Sequence, residues 1–99
     1  MITAKQRAVL RGLANPIETI LQIGKEGIGP ALIKQVDDAL TARELIKLRV
    51  LPTCELTSKE AALELGGTLG ADIVQVIGTR LVLYRHNPKK TIIKIRQEQ

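Results

Sequence analysis

The chain has 99 residues, so we expect one domain, 1–99. Because it has a single cysteine, we expect neither an internal disulfide nor a cysteine-based zinc site. Its net charge of +5 favours a polyanionic partner, nucleic acid first and an anionic membrane surface second. Tyr84 is the only aromatic residue, which excludes the nucleic-acid-binding proteins that stack bases on several aromatic side chains.

The first predicted element is a helix that begins at a capping box formed by Thr3 and Gln6. Its apolar side carries Val9, Leu10 and Leu13. Asn15 and Pro16 end it, because the residue before a proline is pushed out of the α region. Residues 17–23 are mostly apolar and have no helical face, which predicts a strand with much of both faces covered.

A Gly-x-x-Gly loop follows this strand, formed by Gly24, Lys25, Glu26 and Gly27. Glycines let a backbone approach a phosphate group closely, and both can adopt positive φ. Lys25 adds a charge, and the start of the next helix adds a partial positive charge. Because Gly-x-x-Gly pairs also occur in ordinary turns, a plain strand-to-helix connection is the alternative to a nucleic-acid contact.

A second helix is predicted from Pro30, with Gly29 as its cap. Its apolar positions are Leu32, Ile33, Val36, Ala39 and Leu40. Residues 44–51 then alternate and predict a half-buried strand. Ile46, Leu48 and Val50 lie on one side of it, and Lys47 and Arg49 on the other.

A third helix is predicted after a second capping box, formed by Thr57 and Glu60. Its apolar residues are Ala61, Ala62, Leu65 and Leu69. Because a glycine inside a helix costs about 1 kcal/mol relative to alanine, Gly66 and Gly67 should weaken this helix or end it early. Gly70 is the predicted stop.

Residues 72–77 and 80–85 predict a β-hairpin, joined by a type II′ turn at Gly78 and Thr79. That turn would pair Ile77 with Arg80, Val76 with Leu81, Val74 with Leu83, and Ile73 with Tyr84. Val74, Val76, Leu81 and Leu83 would then face the core, with Gln75, Arg80 and Tyr84 on the other side. The basic tail, 87–99, would add a short edge strand or stay mobile.

The predicted order is therefore αβαβαββ, an α+β fold in which three helices pack on a small four-stranded mixed sheet. Strands joined through helices should run parallel, while the two strands of the hairpin must be antiparallel.

The chain has no pattern that predicts catalysis or a metal site. His86 and Cys54 lie in separate turn regions with no signature around them, and adjacent Asp37 and Asp38 fit a solvated helix face. We expect no catalytic residues, no cofactor and no small-molecule substrate. No apolar run approaches the length of a signal peptide core or a bilayer span, so we expect a soluble, cytoplasmic protein that does not bind membranes.

Four stretches carry a family resemblance. They are Lys5-Gln6-Arg7 with Leu10-Arg11-Gly12-Leu13-Ala14, the loop from Ile23 to Gly27, Glu44-Leu45-Ile46-Lys47-Leu48, and the run from Val74 to Arg85. On these residues the chain resembles the YhbY-like family, the stand-alone bacterial form of the CRM domain. The resemblance implies a fold similar to the C-terminal domain of translation initiation factor 3, with a loop like the KH-domain loop that clamps a nucleic-acid backbone. It also implies binding to ribosomal RNA in precursors of the large ribosomal subunit, as an assembly factor without catalytic activity.

The predicted RNA contacts are the glycine loop and basic residues that could converge on one side. They are Gly24, Lys25, Glu26, Gly27, Lys5, Arg11, Lys47, Arg49, Arg80 and Arg85. Since stacking aromatics are missing, we expect these residues to read RNA backbone and shape rather than base sequence. The alternative is a protein-interaction module that docks on a ribosomal protein through the apolar third helix or a tail edge strand.

Overall fold

Three helices and four strands follow one another in the order αβαβαββ over residues 2–93, the part of the chain that the computed structural model describes. The helices are α1 (Ala4–Ala14), α2 (Pro30–Arg43) and α3 (Ser58–Leu69). The strands are β1 (Thr19–Ile23), β2 (Leu45–Val50), β3 (Asp72–Ile77) and β4 (Arg80–Tyr84). The predicted fold class and element order are confirmed.

Both capping boxes form as predicted. The Thr3 hydroxyl accepts the Gln6 N–H at 3.0 Å, and the Gln6 side chain accepts the Thr3 N–H at 2.9 Å. Thr57 and Glu60 make the same reciprocal pair, at 3.1 and 2.8 Å. Each box satisfies two N–H groups that a helix start otherwise leaves unpaired, so the local sequence fixes where α1 and α3 begin.

The sheet has the strand order β1-β2-β4-β3. β1 pairs with β2 in parallel, and α2 makes the crossover between them. β4 pairs with both β2 and β3 in antiparallel fashion, so it lies between the two strands that α3 connects. β1 therefore lies at one edge of the sheet and β3 at the other.

Each face of the sheet carries its own core. On the α2/α3 face, side chains of β2 and β4 pack under both helices together with Ile23, Val36, Leu40, Ala61, Ala62 and Leu65. On the opposite face, which we call the α1 face, Leu10 and Ala14 of α1 pack on a second cluster. That cluster consists of Leu45, Val74, Val82 and Tyr84. The parts of the sheet that are exposed to solvent are therefore those that no helix covers.

The predicted hairpin register is correct near the turn and wrong beyond it. Gly78 has φ of 57°, as a type II′ turn needs at its first central position, and Ile77 faces Arg80 as predicted. A bulge between Ile73 and Gln75 then shifts the pairing, so that Ile73 faces Leu83. Val74 consequently turns to the α1 face. Val76, predicted to be in the core, is 37% exposed.

α1 differs in part from its predicted packing, whereas the predicted apolar residues Ala61, Ala62 and Leu65 of α3 are buried. Gln6, Leu10 and Ala14 form the buried side of α1, whereas Val9 and Leu13 are 49% and 44% exposed. α3 runs through both internal glycines to Leu69 and ends at Gly70, which has φ of 63°. Gly66 has a packing reason, because a Cβ atom there would lie 3.1 Å from the carbonyl oxygen of Ala71.

Candidate nucleic-acid interface

The 24–27 loop is a tight turn between the end of β1 and the start of α2. The Gly27 N–H donates to the Gly24 carbonyl at 3.0 Å, and Lys25 and Glu26 are exposed at the tip. Gly27 has φ of 68°, a left-handed conformation in which glycine is favoured; Gly24 does not share it. The loop thus presents backbone, one cationic side chain and one carboxylate to solvent.

A groove of about 440 Å³ separates this loop from the first turn of α2. Gly29 caps α2 without any side-chain hydrogen bond, and Pro30 occupies the first turn. The first-turn N–H groups therefore lack the side-chain acceptor that α1 and α3 both have. With the helix dipole, these N–H groups and Lys25 make the groove favourable for an anion.

Two arginines lie side by side on the α1 face. Arg49 of β2 and Arg80 of β4 are direct cross-strand partners, so their side chains leave the same face of the sheet. Gln22 of β1 extends this row on one side and Ile77 of β3 extends it on the other. Lys47 lies in the neighbouring row, opposite Val82. This register confirms the prediction that Lys47 and Arg49 lie on the same side of β2.

The arginine pair is not neutralised within residues 2–93. Neither guanidinium has a carboxylate within 4 Å in that part of the chain. The Nε of Arg49 is buried and has no hydrogen-bond partner among the described residues. Like charges directly opposite each other on a sheet are destabilising, and an unpaired buried donor is costly. An anion bound between Arg49 and Arg80 would relieve the repulsion between the two guanidinium groups.

The glycine loop and the arginine pair belong to one continuous surface. Gln22 lines the groove beside the loop and is also the cross-strand partner of Arg49. The order across the surface is therefore Lys25, Gln22, Arg49 and Arg80. We call this set, together with Lys47, the basic face.

Two predicted contact residues lie on α1, which meets the basic face at its C-terminal end. Arg7 Nε donates to the Ile73 carbonyl at 3.2 Å, which places that flank of the helix over β3, and Arg11 lies one turn further along the same flank. Lys5 is in the first turn of α1, roughly 15 Å along the helix axis from Asn15, where α1 meets Lys47. Arg11 is thus nearer than Lys5 to the end of α1 that contacts Lys47.

Arg85 is not part of the basic face. Its guanidinium donates to Asp37 Oδ1 at 2.8 Å, the Asp37 carbonyl at 3.1 Å, Thr41 Oγ1 at 3.0 Å and the Leu69 carbonyl at 3.1 Å. These bonds join the end of β4 to α2 and α3. The expected convergence of the basic residues therefore does not include Arg85, because its donors are already used inside the fold.

A buried carboxylate that the sequence reasoning missed anchors the start of the tail. Glu44 is fully buried and has φ of 65°. Its oxygens accept the N–H groups of Asn87, Ile92 and Ile93 at 2.6 to 2.8 Å, and His86 Nδ1 lies 3.2 Å away. Burial raises the pKa of this carboxyl, but the three N–H groups and His86 outweigh burial, so its pKa is lowered. The tail up to residue 93 is held in this way.

The described tail forms no strand; the rest of the predicted edge strand, 94–99, lies outside the described residues. The apolar side of α3, which the protein-docking alternative would use, is buried in the α2/α3 core at Ala61, Ala62 and Leu65.

Within residues 2–93, no group of three potential metal-ligating side chains occurs. None of the described helices is long and apolar enough to cross a membrane.

Comparisons with known proteins agree on one family. Residues 2–85 match the model of the CRS1 / YhbY (CRM) domain. The probable RNA-binding protein YqeI of Bacillus subtilis is 39% identical over 95 residues, covering 96% of this chain and 99% of YqeI. An RNA-binding protein of Haemophilus influenzae is 30% identical over 91 residues, with 92% of each chain covered.

A solved structure supports the same assignment. The solution structure of the hypothetical protein SAV1595 from Staphylococcus aureus, for which RNA binding has been suggested, superposes with a TM-score of 0.74 at 42% identity. The superposition covers 97% of this chain and all of SAV1595. The likeness therefore extends over nearly the whole chain.

Proposed function

Because the chain belongs to the CRS1 / YhbY (CRM) domain family, we propose that it binds structured RNA through the 24–27 loop and the basic face. The observation that carries this proposal is the arginine pair, Arg49 and Arg80. Two neighbouring guanidinium groups without a carboxylate partner in the described fold form a site to which a phosphate group is complementary.

The proposed contacts divide into two kinds. The loop and the first turn of α2 offer backbone N–H groups and Lys25 to one part of the RNA backbone. Arg49, Arg80 and Lys47 offer charge to a neighbouring part, in the case of the arginines through planar donor groups that can bind a phosphate bidentately. Both kinds position RNA without reading its sequence.

We further propose that the RNA is ribosomal RNA in precursors of the large ribosomal subunit, and that the protein acts there as a non-catalytic assembly factor. The resemblance to the YhbY-like family supports this step, and it would place the protein in the cytoplasm. Crosslinking in cells followed by sequencing of the attached RNA tests it. Enrichment at one large-subunit ribosomal RNA segment is expected, and an even distribution over cellular RNA would contradict the assignment.

The RNA-binding surface is tested by the double variant Lys25→Ala/Arg80→Ala. Each lost phosphate contact should lower the slope of log affinity against log salt by about 0.7 to 0.9, so the two together remove about 1.5. At about 0.1 M salt, this decrease in the slope corresponds to roughly 30-fold weaker binding by the double variant. Fluorescence anisotropy titrations with a structured RNA over a range of salt concentrations measure both quantities.

Arg43→Ala/Lys59→Ala is the matched control. Both residues are exposed, and both lie on the helices of the opposite sheet face, near the end of α2 and the start of α3. Each double variant lowers the net charge from +5 by two, to +3. The control should retain most of the salt slope. Equal losses in the two variants would mean that general charge, rather than the basic face, binds the RNA.

A further inference from the structure

A small depression lies on the α1 face where α1 ends, directly beside the arginine pair. Its volume is about 130 Å³. Six residues line it: Asn15, Lys47, Gln75, Ile77, Arg80 and Val82. A cavity of about 150 Å³ between apolar side chains can hold one benzene molecule, so this depression has the size of a single planar ring.

The floor and one wall of the depression suit a flat, partly apolar ring. Val82, on the central strand β4, is nearly buried, and Ile77 beside it is 62% exposed, so the two side chains offer an apolar floor and wall. Arg80 lies between Arg49 and the depression, because its cross-strand partners are Arg49 on one side and Ile77 on the other. Its guanidinium is a plane on which a base can stack in place of an aromatic side chain.

The rim carries two amides that are not used by the described fold. The side chains of Asn15 and Gln75 make no hydrogen bond within residues 2–93, although the backbone of Asn15 accepts from Lys47 Nζ at 3.5 Å. An amide offers both a donor and an acceptor, which is the combination that the hydrogen-bonding edge of a nucleobase requires. Lys47 adds a positive charge at the same rim, which favours a ligand attached to phosphate.

We propose that this depression receives one unpaired nucleobase of the bound RNA, stacked on the Arg80 guanidinium with its edge at the amides of Asn15 and Gln75. The proposal rests on the RNA-binding function proposed above and adds a preference to it. A base inside a regular duplex is stacked and paired and cannot enter, whereas a bulged or looped base can. The protein would thus recognise a structured RNA at a site where one base leaves the helix.

The test compares three RNA hairpins that differ at one position. The first has a single-nucleotide bulge, made with each of the four nucleotides in turn; the second has the same bulge without its base; the third is fully paired. Anisotropy titrations of the wild-type protein are expected to show that at least one bulged hairpin binds more tightly than the abasic hairpin. The expected ratio is roughly 5- to 150-fold, the equivalent of stacking one base.

The variant Asn15→Ala/Gln75→Ala removes both amides and leaves every positive charge in place. We expect it to lower the ratio between bulged and abasic hairpins by about fivefold, as the loss of base-edge hydrogen bonds implies, while affinity for the paired hairpin stays the same. Thr68→Ala, at an exposed position of α3, should change neither quantity. Thermal unfolding of each variant confirms that it is folded.

The outcomes separate this proposal from the one on which it rests. If the wild-type protein binds all three hairpins equally well, the base pocket is refuted while backbone binding survives. If it binds none of them, the RNA-binding proposal fails as well. A bulge preference that the double variant keeps unchanged would refute this depression as the site. The comparison of hairpins uses wild-type protein alone, so it does not depend on how well a variant folds.

Discussion

Replacing Glu44 by glutamine should destabilise the protein although the two side chains have nearly the same shape. In Glu44→Gln the side chain keeps one oxygen, which can still accept the N–H groups of Ile92 and Ile93 that now meet Oε1. The other oxygen becomes an NH₂ group that faces the N–H of Asn87, a donor that is now 2.6 Å from Oε2. The variant therefore loses the charge and one acceptor without opening a cavity.

The magnitude follows from these three bonds. A hydrogen bond to a charged group contributes about 1.5 to 3 kcal/mol and a neutral one about 0.5 to 1.5, so neutralisation weakens the two retained bonds by about 1 kcal/mol each. The unsatisfied Asn87 N–H adds about 1 to 3 kcal/mol. Relief from burying a charge offsets part of this sum. We expect a net loss of about 2 to 3 kcal/mol, a large share of the roughly 5 to 15 kcal/mol that stabilises a typical domain.

Urea unfolding of the wild-type protein and Glu44→Gln at a series of pH values is the assay. The pKa of Glu44 is lowered in the folded state, so its stabilisation is complete above the unfolded value and is lost as the pH falls through the folded value. The difference between the two proteins should therefore be largest near pH 7 and shrink on the acid side of about pH 4.3, the usual glutamate pKa. A difference that is the same at pH 3 as at pH 7 would refute the charged-acceptor account.

The variant Glu44→Gly distinguishes the contribution of the carboxylate to stability from that of the backbone conformation. Glycine removes the strain of a positive φ, worth about 1 kcal/mol, but leaves all three N–H groups of the tail without their acceptor. We expect this variant also to be less stable than the wild type. If it were more stable, the conformation of residue 44 would matter more than its hydrogen bonds.

Two further predictions concern residues whose roles the structure distinguishes. Gly67→Ala should stabilise the protein by up to about 1 kcal/mol in urea unfolding, because nothing lies within 4 Å of the added Cβ. Gly66→Ala should stabilise it less or destabilise it, because the added Cβ would lie 3.1 Å from the Ala71 carbonyl oxygen. Arg85→Ala should cost about 2 kcal/mol of stability through its lost bonds to α2 and α3. The same variant should change the salt slope of RNA binding less than Arg80→Ala does, and the reverse order would return Arg85 to the RNA surface.

Most of the fold could be predicted because its boundaries are encoded within a few residues. Thr3 and Thr57 each have their capping partner three positions on, and Gly70 and Gly78 take the positive φ that ends a helix and makes a turn. Such local signals need no knowledge of the rest of the chain. The element order followed from them.

The register of the hairpin could not be predicted in full, because a bulge leaves no local signature here. Val74 is an apolar β-branched residue like Ile73 and Val76, so alternation assigned it to the wrong face. One inserted residue reverses the side-chain direction of everything beyond it. Glu44 was missed for a related reason: its donors lie 43 to 49 residues later in the chain, and no spacing within the strand reveals them.

The candidate site was predicted as a set of charges but not as a surface. Alternation in β2 placed Lys47 and Arg49 on one side, and the turn geometry placed Arg80. That Arg49 and Arg80 are neighbours follows from the pairing of β2 with β4, two strands that are separated by α3 and β3 in the chain. Arg85 was included because only its charge was visible, whereas its hydrogen bonds depend on how α2 and α3 pack.

The end of α1 connects the local sequence to the proposed site. Eleven helical residues span about 16 Å, enough to cover Leu45 and Tyr84 but not the rows that contain Lys47, Arg49 and Arg80. The helix ends before Pro16, and the Ile17 N–H donates a hydrogen bond to the Ala14 carbonyl at 3.0 Å. One or two more turns in the same direction would place α1 over the depression. The stop at Asn15 and Pro16 therefore leaves part of the α1 face open, and this open part holds the arginine pair and the depression beside it.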